Sequence, residues 1–156
     1  YYGAEVTGVS STANLELVKS LGADHVIDYT VEDFTKTGET YDIIFDAVGK
    51  SSFSRCKNAL NPKGIYLTTV ITAADLLQVL LTSLAGGKKA KFMTAGLRPP
   101  AEITRELAFG AELMAAGKIK PVIDRSYPME DIVAAHHYVE TGHKKGSMVI
   151  NVVDGG

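Results

Sequence analysis

AEVTGVSSTANLELVKSLGADHVIDY, residues 4–29, is the stretch of this chain that decides its fold. Residues 5–9 are short, rich in β-branched side chains and followed by turn-forming residues, which predicts a strand buried in a parallel sheet. The apolar residues of the middle segment fall on one helical face, and Gly22 is placed to end that helix. Residues 25–28 then return to the sheet. The stretch is therefore a strand-helix-strand unit of an α/β fold.

The same alternation continues along the chain and gives the remaining predicted elements. We predict a short helix or turn over 31–37, a strand over 41–48 that leads into Gly49, a helix over 51–60, a turn at Asn61, Pro62 and Gly64, a strand over 64–70, a helix over 75–84, a strand over 88–95, a helix from Pro99 to residue 116, a strand over 121–128, a helix over 129–141 and a strand over 147–153.

Composition favours a soluble protein that binds small molecules or other proteins. Of 156 residues, 46% are hydrophobic and 22% charged, which is typical of a globular chain. The net charge of -2 gives no electrostatic reason to expect nucleic acid or an anionic membrane as a partner. Cys56 is the single cysteine, and the apolar run over 75–85 is too short to span a bilayer. We expect a cytoplasmic protein with a reduced thiol.

Four segments, taken in order, resemble the medium-chain dehydrogenase/reductase superfamily, in its zinc-independent quinone oxidoreductase branch. They are GVSSTANLELVKSLGADHVIDY, YDIIFDAVG, LNPKGIYLTT and GKIKPVIDRSYPMEDIVAAHHYVETGHKKGSMVINV. The resemblance covers essentially the whole chain, and the combination is more specific than any one segment. It implies an NADPH-dependent reductase built from a catalytic barrel-like domain and a Rossmann domain.

The resemblance also implies a fold class and a domain division. It predicts a Rossmann-type doubly wound parallel sheet over residues 1–118 that lacks its first strand and glycine-rich turn, because no G-x-G-x-x-G occurs in the sequence. Residues 119–156 are expected to form a strand-helix-strand tail that in the family packs on the catalytic domain. The chain is therefore expected to be a carboxyl-terminal fragment that binds a dinucleotide weakly and is inactive alone.

Three hydroxyl residues at the end of the first strand, Ser10, Ser11 and Thr12, are the first candidate cofactor site. Rossmann enzymes that use NAD place an acidic residue here on the ribose 2′-OH, whereas hydroxyls accept the 2′-phosphate of NADP. The alternative is that these residues only cap the next helix, with Thr12 accepting hydrogen bonds from its first turn.

The resemblance implies further cofactor contacts at the ends of other strands. Tyr29 resembles a family tyrosine beside the 2′-phosphate and adenine, although a tyrosine there is also a common amphipathic surface residue. The loop after the 41–48 strand matches one that lies over the riboses, and the end of the next strand matches one near the nicotinamide. The remaining residues carried over in this way are Asp46, Ala47, Val48, Gly49, Thr69, Val70 and Lys144.

No metal is expected in this chain. His136 and His137 are adjacent, and neighbouring helical positions point about 100° apart, so their rings do not converge on one ion. Cys56 has no histidine near it in sequence and is expected to be a small buried apolar residue.

We therefore predict the cofactor-binding part of an NADPH-dependent reductase that delivers hydride to quinones or α,β-unsaturated carbonyls. In this branch catalysis is mostly orientation of the cofactor, so no catalytic residue is assigned. A zinc-type alcohol dehydrogenase relative remains an alternative within the enzyme class. A non-catalytic nucleotide-binding or assembly module remains an alternative from another class.

The sequence further predicts a homodimer through the 88–95 strand. In the family the corresponding edge strand pairs with its two-fold mate, and the preceding helix carries leucines on more than one face. Lys89 and Lys91 could instead keep this edge monomeric.

Overall fold

The computed structural model describes residues 1–70, 73–84, 86–93 and 98–152. Seven strands and five α-helices form in this part of the chain. In order they are β1 (Thr7–Ser10), α1 (Leu15–Ser20), β2 (His25–Asp28), β3 (Tyr41–Asp46), α2 (Phe53–Cys56), β4 (Leu60–Thr68), α3 (Ala73–Leu84), β5 (Lys89–Phe92), α4 (Pro100–Ala115), β6 (Ile123–Pro128), α5 (Ile132–Glu140) and β7 (Ser147–Asn151).

The chain divides into two compact units. One is Glu5–Pro100, and the other consists of Tyr1–Ala4 and Ala101–Gly156. In the Glu5–Pro100 unit, β1 pairs with β2, and β3, β4 and β5 form a second sheet in that order. Every strand pair is parallel and the strands alternate with helices, so the predicted α/β fold with parallel sheets is confirmed. The hydrogen bonding between described strands is interrupted between β1 and β3.

The core of this unit lies under the β3–β4–β5 sheet. Cys56, Leu60 and Tyr66 are fully buried, and the rings of Phe34 and Phe53 pack against them. Cys56 is thus a buried apolar residue as predicted, and burial raises the pKa of its thiol.

Close packing of α1 on β1 explains a glycine inside a strand. A Cβ at Gly8 would lie 2.2 Å from Cγ1 of Val18, so only glycine lets the helix approach this closely. The sequence places Val18 on the apolar face of the helix, and that face is the one that contacts the strand.

The turn predicted at Asn61, Pro62 and Gly64 is wrong, because these residues lie inside β4. The register between β3 and β4 explains the turn-like composition. Tyr41 pairs with Leu60 and Ile43 pairs with Ile65. Between these two pairs β3 has one residue, whereas β4 has four. The three extra residues form a bulge, which tolerates glycine and proline that a regular central strand would not.

The second unit contains α4, β6, α5 and β7, with β6 parallel to β7. The Asp124 carboxylate joins its parts by accepting hydrogen bonds from the Tyr138 hydroxyl and the Lys145 amide, each 2.9 Å long. The guanidinium of Arg125 lies 3.9 Å from the centre of the Tyr138 ring. The predicted strand-helix-strand segment is therefore present.

Three predicted elements fall partly outside the described residues, one of which is the 147–153 strand, whose position 153 lies outside. The 88–95 strand is described as β5 up to Phe92, while positions 94 and 95 lie outside. The 75–84 helix is described as α3, but the side chains of Asp75 and Leu84 lie outside the described part. Within the described residues, no helix has the length and apolar character needed to cross a membrane.

Candidate functional site

A cleft of about 840 Å³ lies between β1 and β3 in the Glu5–Pro100 unit, and we call it the edge cleft. Its floor is formed by strand residues Thr7, Val9, Tyr41, Ile43 and Phe45. Its rim is formed by residues at or beyond the carboxyl ends of the strands, including Ser10, Ser11, Tyr29, Asp46, Ala47 and Val48. Open α/β sheets bind ligands at this end of their strands. The cleft thus brings together six of the residues that the sequence predicts as cofactor contacts.

The Asp46 carboxylate shapes the loop after β3. Four successive backbone amides, those of Val48, Gly49, Lys50 and Ser51, donate hydrogen bonds to it over 2.7–3.3 Å. The Tyr66 hydroxyl donates a fifth bond of 2.9 Å. Since the carboxylate oxygens are engaged by the protein, Asp46 holds the loop in position.

The ionised form of Asp46 is the stable one in this setting. Partial burial raises the pKa of the carboxyl, but the hydrogen bonds from the Ser51 amide, the Tyr66 hydroxyl and the Gly49 amide together outweigh it. The net effect is a pKa below the ordinary value for aspartate. The loop is therefore held by a charged acceptor at neutral pH.

The Thr12 hydroxyl is engaged with Asp28 at the end of β2. It donates to the Asp28 carboxylate, which also accepts from the Thr30 hydroxyl at 2.7 Å and from the Thr30 amide at 2.9 Å. These bonds, with that from Thr12 the strongest contributor, lower the pKa of Asp28. Ser11 and Asn14 form no side-chain cap, and the described bonds of the Thr12 hydroxyl go to Asp28 and Thr30, so the alternative that these residues serve as a helix cap has no support from the described hydrogen bonds.

Ser10 and Ser11 are left to face the edge cleft. Within the described residues neither hydroxyl has a hydrogen-bond partner, and both are half-buried. Both groups can therefore donate to an acceptor that enters at the rim.

Gly49, Thr69 and Val70 support the rim from behind. Gly49 has a φ of 71°, and a Cβ there would lie 2.7 Å from the Val70 side chain. The Thr69 hydroxyl donates to the Ala47 carbonyl at 3.1 Å. A side chain at position 49 would be both strained and blocked, so the loop requires glycine.

Lys144 lies in the other compact unit, where its ammonium donates to the Gly146 carbonyl at 3.3 Å. Its predicted role at the 2′-phosphate stays a prediction.

Sequence reasoning missed several polar residues that line the edge cleft, among them Asn14, Lys50, Ser51, Glu32 and the ion-paired Asp33 and Arg55. The side-chain oxygen of Asn14 is buried, and among the described residues it has no hydrogen-bond partner. Lys50 follows Gly49 directly. A lysine beside a glycine at the end of a strand could have been used to predict a nearby anion-binding position from the sequence.

No three histidine, cysteine, aspartate or glutamate side chains converge as a possible metal site in the part of the chain that the structure describes. His137 instead lies 3.6 Å from the Glu140 carboxylate. The described residues therefore do not fit a zinc ion.

A family model described as zinc-binding dehydrogenase matches residues 21–150. Among curated proteins, the mitochondrial NAD(P)H oxidoreductase RTN4IP1 of Mus musculus is 35% identical, over 97% of this chain and 43% of its own length. The chloroplastic NADPH-dependent alkenal/one oxidoreductase of Arabidopsis thaliana is 33% identical, over 96% of this chain and 34% of its own length.

Solved structures give the same picture. The quinone oxidoreductase of Coxiella burnetii superposes with a TM-score of 0.77 at 26% identity, over 97% of this chain and 46% of that one. A 2-haloacrylate reductase superposes with a TM-score of 0.74 at 22% identity, over 97% of this chain and 51% of that one, which supports the Rossmann-type fold alone. The chain spans less than half the length of the curated relatives named above.

Proposed function

From the premise that this chain belongs to the zinc-binding dehydrogenase family of the medium-chain dehydrogenase/reductase superfamily, we propose that it is the cofactor-binding part of an NADPH-dependent oxidoreductase. The substrate class is quinones or α,β-unsaturated carbonyls. This class matches the names of the relatives, which include an alkenal/one oxidoreductase and a quinone oxidoreductase.

The observation that carries the proposal is the rim of the edge cleft. Ser10 at the end of β1, Ser11 directly after it and the Asp46-held loop after β3 lie around one opening at the carboxyl ends of parallel strands. This is where a doubly wound fold binds a dinucleotide. The described part of the chain therefore has the polar groups for a ribose or phosphate and an apolar residue, Val48, beside them.

The chain's own residues have positioning roles in this proposal. Ser10 and Ser11 donate to the adenosine ribose or its phosphate, and Tyr29 offers its exposed ring to the adenine. The Asp46 carboxylate fixes the backbone of the loop 47–51, so that its glycine permits close approach of a ribose. When bound, the nicotinamide cofactor supplies the hydride for reduction.

A preference for NADPH over NADH rests on charge. Residues 10–12 contain no carboxylate that would repel a 2′-phosphate, and Lys50 adds a cation at the same cleft. Asp28 is anionic and near, but its carboxylate already accepts bonds from Thr12 and Thr30. We assign the phosphate contact to Ser10 and Ser11, with Lys144 as a further candidate.

Ser11→Asp tests this assignment, because it places a carboxylate where the 2′-phosphate is expected. NMR titration should give at least tenfold weaker binding of NADPH and a smaller change for NADH, since NADH lacks that phosphate. Ser20→Asp adds the same charge at the far end of α1, where the native hydroxyl bonds only the Leu17 carbonyl among described partners, and should change neither affinity by more than about twofold.

Equal affinity of wild type and Ser11→Asp for NADPH would show that the 2′-phosphate does not bind beside Ser11. Absence of binding by wild type to either nucleotide would favour an assembly module instead.

The homodimer is proposed at the open side of β5. Within the described residues β5 pairs with no strand other than β4, and on its outer edge the Ala90 amide donates to the Thr82 hydroxyl of α3 at 3.0 Å, which leaves the part of the edge near Phe92 for a partner strand. Leu76, Leu77, Leu80 and Leu81 of α3 are each more than half exposed, which is a large apolar surface for a monomer. Pairing of two β5 edges would cover both features. The division into a Rossmann part over 1–118 and a tail over 119–156 likewise stays a proposal.

A further inference from the structure

A tyrosine in the hydrophobic core reaches the loop that forms one side of the nucleotide rim. We propose that Tyr66 is a positioning residue for the cofactor, whose buried hydroxyl holds the loop 47–51 in the conformation that receives the ribose. Tyr66 itself is not among the described residues that line the edge cleft. This role rests on the proposed function of the cleft, because it acts on the cofactor only through the loop.

The place of Tyr66 in the core makes its hydroxyl, rather than its ring, the informative group. The residue is 2% exposed and belongs to the buried cluster with Cys56 and Leu60, and its ring meets that of Phe53 edge to face at a centroid distance of 6.5 Å. Phenylalanine would fill the same space without bringing a polar group into the core. Because a buried hydroxyl is costly unless it is hydrogen-bonded, this one needs a partner that compensates for its burial.

The register of the sheet brings the hydroxyl to Asp46. Tyr66 pairs with Ile44 in the parallel β3–β4 ladder, and Asp46 lies two residues further along β3. The side chains of Tyr66 and Asp46 therefore project from the same face of the sheet. The tyrosine side chain is long enough to span this diagonal, and its hydroxyl lies 2.9 Å from Asp46 Oδ2.

Tyr66 differs from the other described donors to Asp46 because it lies outside the loop. The four backbone amides of residues 48–51 belong to the loop itself, so they can move together with the carboxylate. Tyr66 instead belongs to β4, and its ring is held by the core. Its bond therefore sets where the carboxylate, and with it the loop, lies relative to the sheet.

The bond acts at the carboxyl end of the loop. Asp46 Oδ2, the oxygen that accepts from Tyr66, also accepts from the Ser51 amide at 2.8 Å. The Ser51 hydroxyl lies 3.1 Å from the sulfur of Cys56, which is fully buried. This end of the loop is thus attached to the core through two side chains, while residues earlier in the loop line the cleft.

The expected consequence of removing the hydroxyl is a smaller population of the binding-competent loop. Without Tyr66 as donor, Asp46 Oδ2 keeps its bond to the Ser51 amide but loses its link to β4. The carboxylate and the loop can then shift together without breaking the bonds between them. Since apparent affinity falls in proportion to the competent fraction, the change appears as weaker cofactor binding and not only as lower stability.

Tyr66→Phe in the whole chain tests this role, because it removes the hydroxyl and keeps the ring. NMR titration should give about fivefold weaker binding of NADPH than the wild type. In the unbound variant the amide resonances of residues 48–51 should shift, and their hydrogen exchange should become at least about threefold faster. Amides in the middle of β3 and β4 should keep the exchange rates of the wild type.

Two controls separate positioning from a loss of stability. Leu60→Val shortens a side chain in the same buried cluster, and Leu60 has no described bond to Asp46. It should lower the midpoint of urea denaturation but leave the loop resonances unchanged and the NADPH affinity within about twofold of wild type. Tyr138→Phe removes a bond of the same kind, from a tyrosine hydroxyl to the Asp124 carboxylate at 2.9 Å, and should leave the resonances of residues 48–51 unchanged.

A measurement on the wild type decides the matter even where Tyr66→Phe does not fold. Two donors to one oxygen have their protons within about 4 Å of each other, since each proton lies about 1.9 Å from that oxygen. The Tyr66 hydroxyl proton should therefore give a slowly exchanging resonance with a nuclear Overhauser effect to the Ser51 amide. Absence of this effect would overturn the proposal.

Other results would also overturn it. These are equal NADPH affinity of wild type and Tyr66→Phe, weaker binding with unchanged resonances of residues 48–51, the same loop change in either control, or faster exchange throughout β3 and β4, which would mean that the hydroxyl only stabilises the fold. A failure of the cofactor proposal is distinguishable from these. Wild type that binds no NADPH would contradict that proposal, whereas a change confined to the loop in Tyr66→Phe would still support the role of Tyr66 in positioning it.

Discussion

Asp46→Asn removes the charge on which the loop after β3 depends. One carboxylate oxygen accepts from the amides of Val48, Gly49 and Lys50, and the other accepts from the Ser51 amide and the Tyr66 hydroxyl. Asparagine keeps only one acceptor oxygen, so at least two donors lose their partner whichever way the amide turns.

The magnitude follows from those two bonds. Hydrogen bonds to a charged group contribute about 1.5–3 kcal/mol each, and the partial exposure of Asp46 reduces this. We expect the free energy of unfolding to fall by about 2–4 kcal/mol at pH 7, measured by urea denaturation with far-UV circular dichroism. Asp42→Asn on the same strand is the matched control, because among the described residues its side chain accepts one bond, from the Asn61 amide at 2.7 Å, and an asparagine oxygen can still accept it. That control should cost less than about 1 kcal/mol.

The effect of pH gives a second measurement. Because the folded pKa of Asp46 lies below the unfolded value, its contribution to stability is present above the unfolded pKa and is lost as pH falls through the folded pKa. The difference between wild type and Asp46→Asn should therefore stay constant from pH 7 to about 5 and shrink below about 3.9. A loss under about 1 kcal/mol at pH 7, or a difference unchanged at pH 3, would refute the role of the charge.

Three further predictions concern the packing, the dimer and the activity. Gly8→Ala should lower the free energy of unfolding by about 1–3 kcal/mol in the same assay, because the new Cβ would clash with the Val18 side chain. Adding Val18→Ala should recover part of that loss, and no recovery would mean that the clash is not with Val18. Phe92→Pro removes a donor from β5 and should halve the mass seen by light scattering, and a folded variant with unchanged mass would move the interface away from β5. The chain alone should not oxidise NADPH with a simple quinone above a heat-killed control, and clear turnover would contradict its assignment as the cofactor-binding part.

The strands were predictable because runs such as 41–46 combine β-branched and aromatic residues between turn residues. The bulge in β4 could not be predicted from the sequence, since Asn61, Pro62 and Gly64 have the composition of a turn. Only the pairing with β3 makes them part of a strand.

The candidate site was predictable at its strand ends and not in its hydrogen bonds. Local spacing suggested that Thr12 caps a helix. Its hydroxyl instead donates a hydrogen bond to the carboxylate of Asp28, which is 16 residues away. Five donors converge on Asp46, and one of them belongs to Tyr66, which is 20 residues away. Such contacts depend on how strands are arranged in the sheet, which periodicity does not encode.

The most direct test of the central claim is an NMR titration of the isotopically labelled chain with NADPH. We predict that the largest amide shifts fall on Ser10, Ser11, Val48 and Gly49, with a dissociation constant weaker than about 1 µM, because the sequence contains no glycine-rich turn for the pyrophosphate. Largest shifts outside the rim of the edge cleft, or no shifts at about 1 mM NADPH, would contradict the claim that this cleft binds the cofactor.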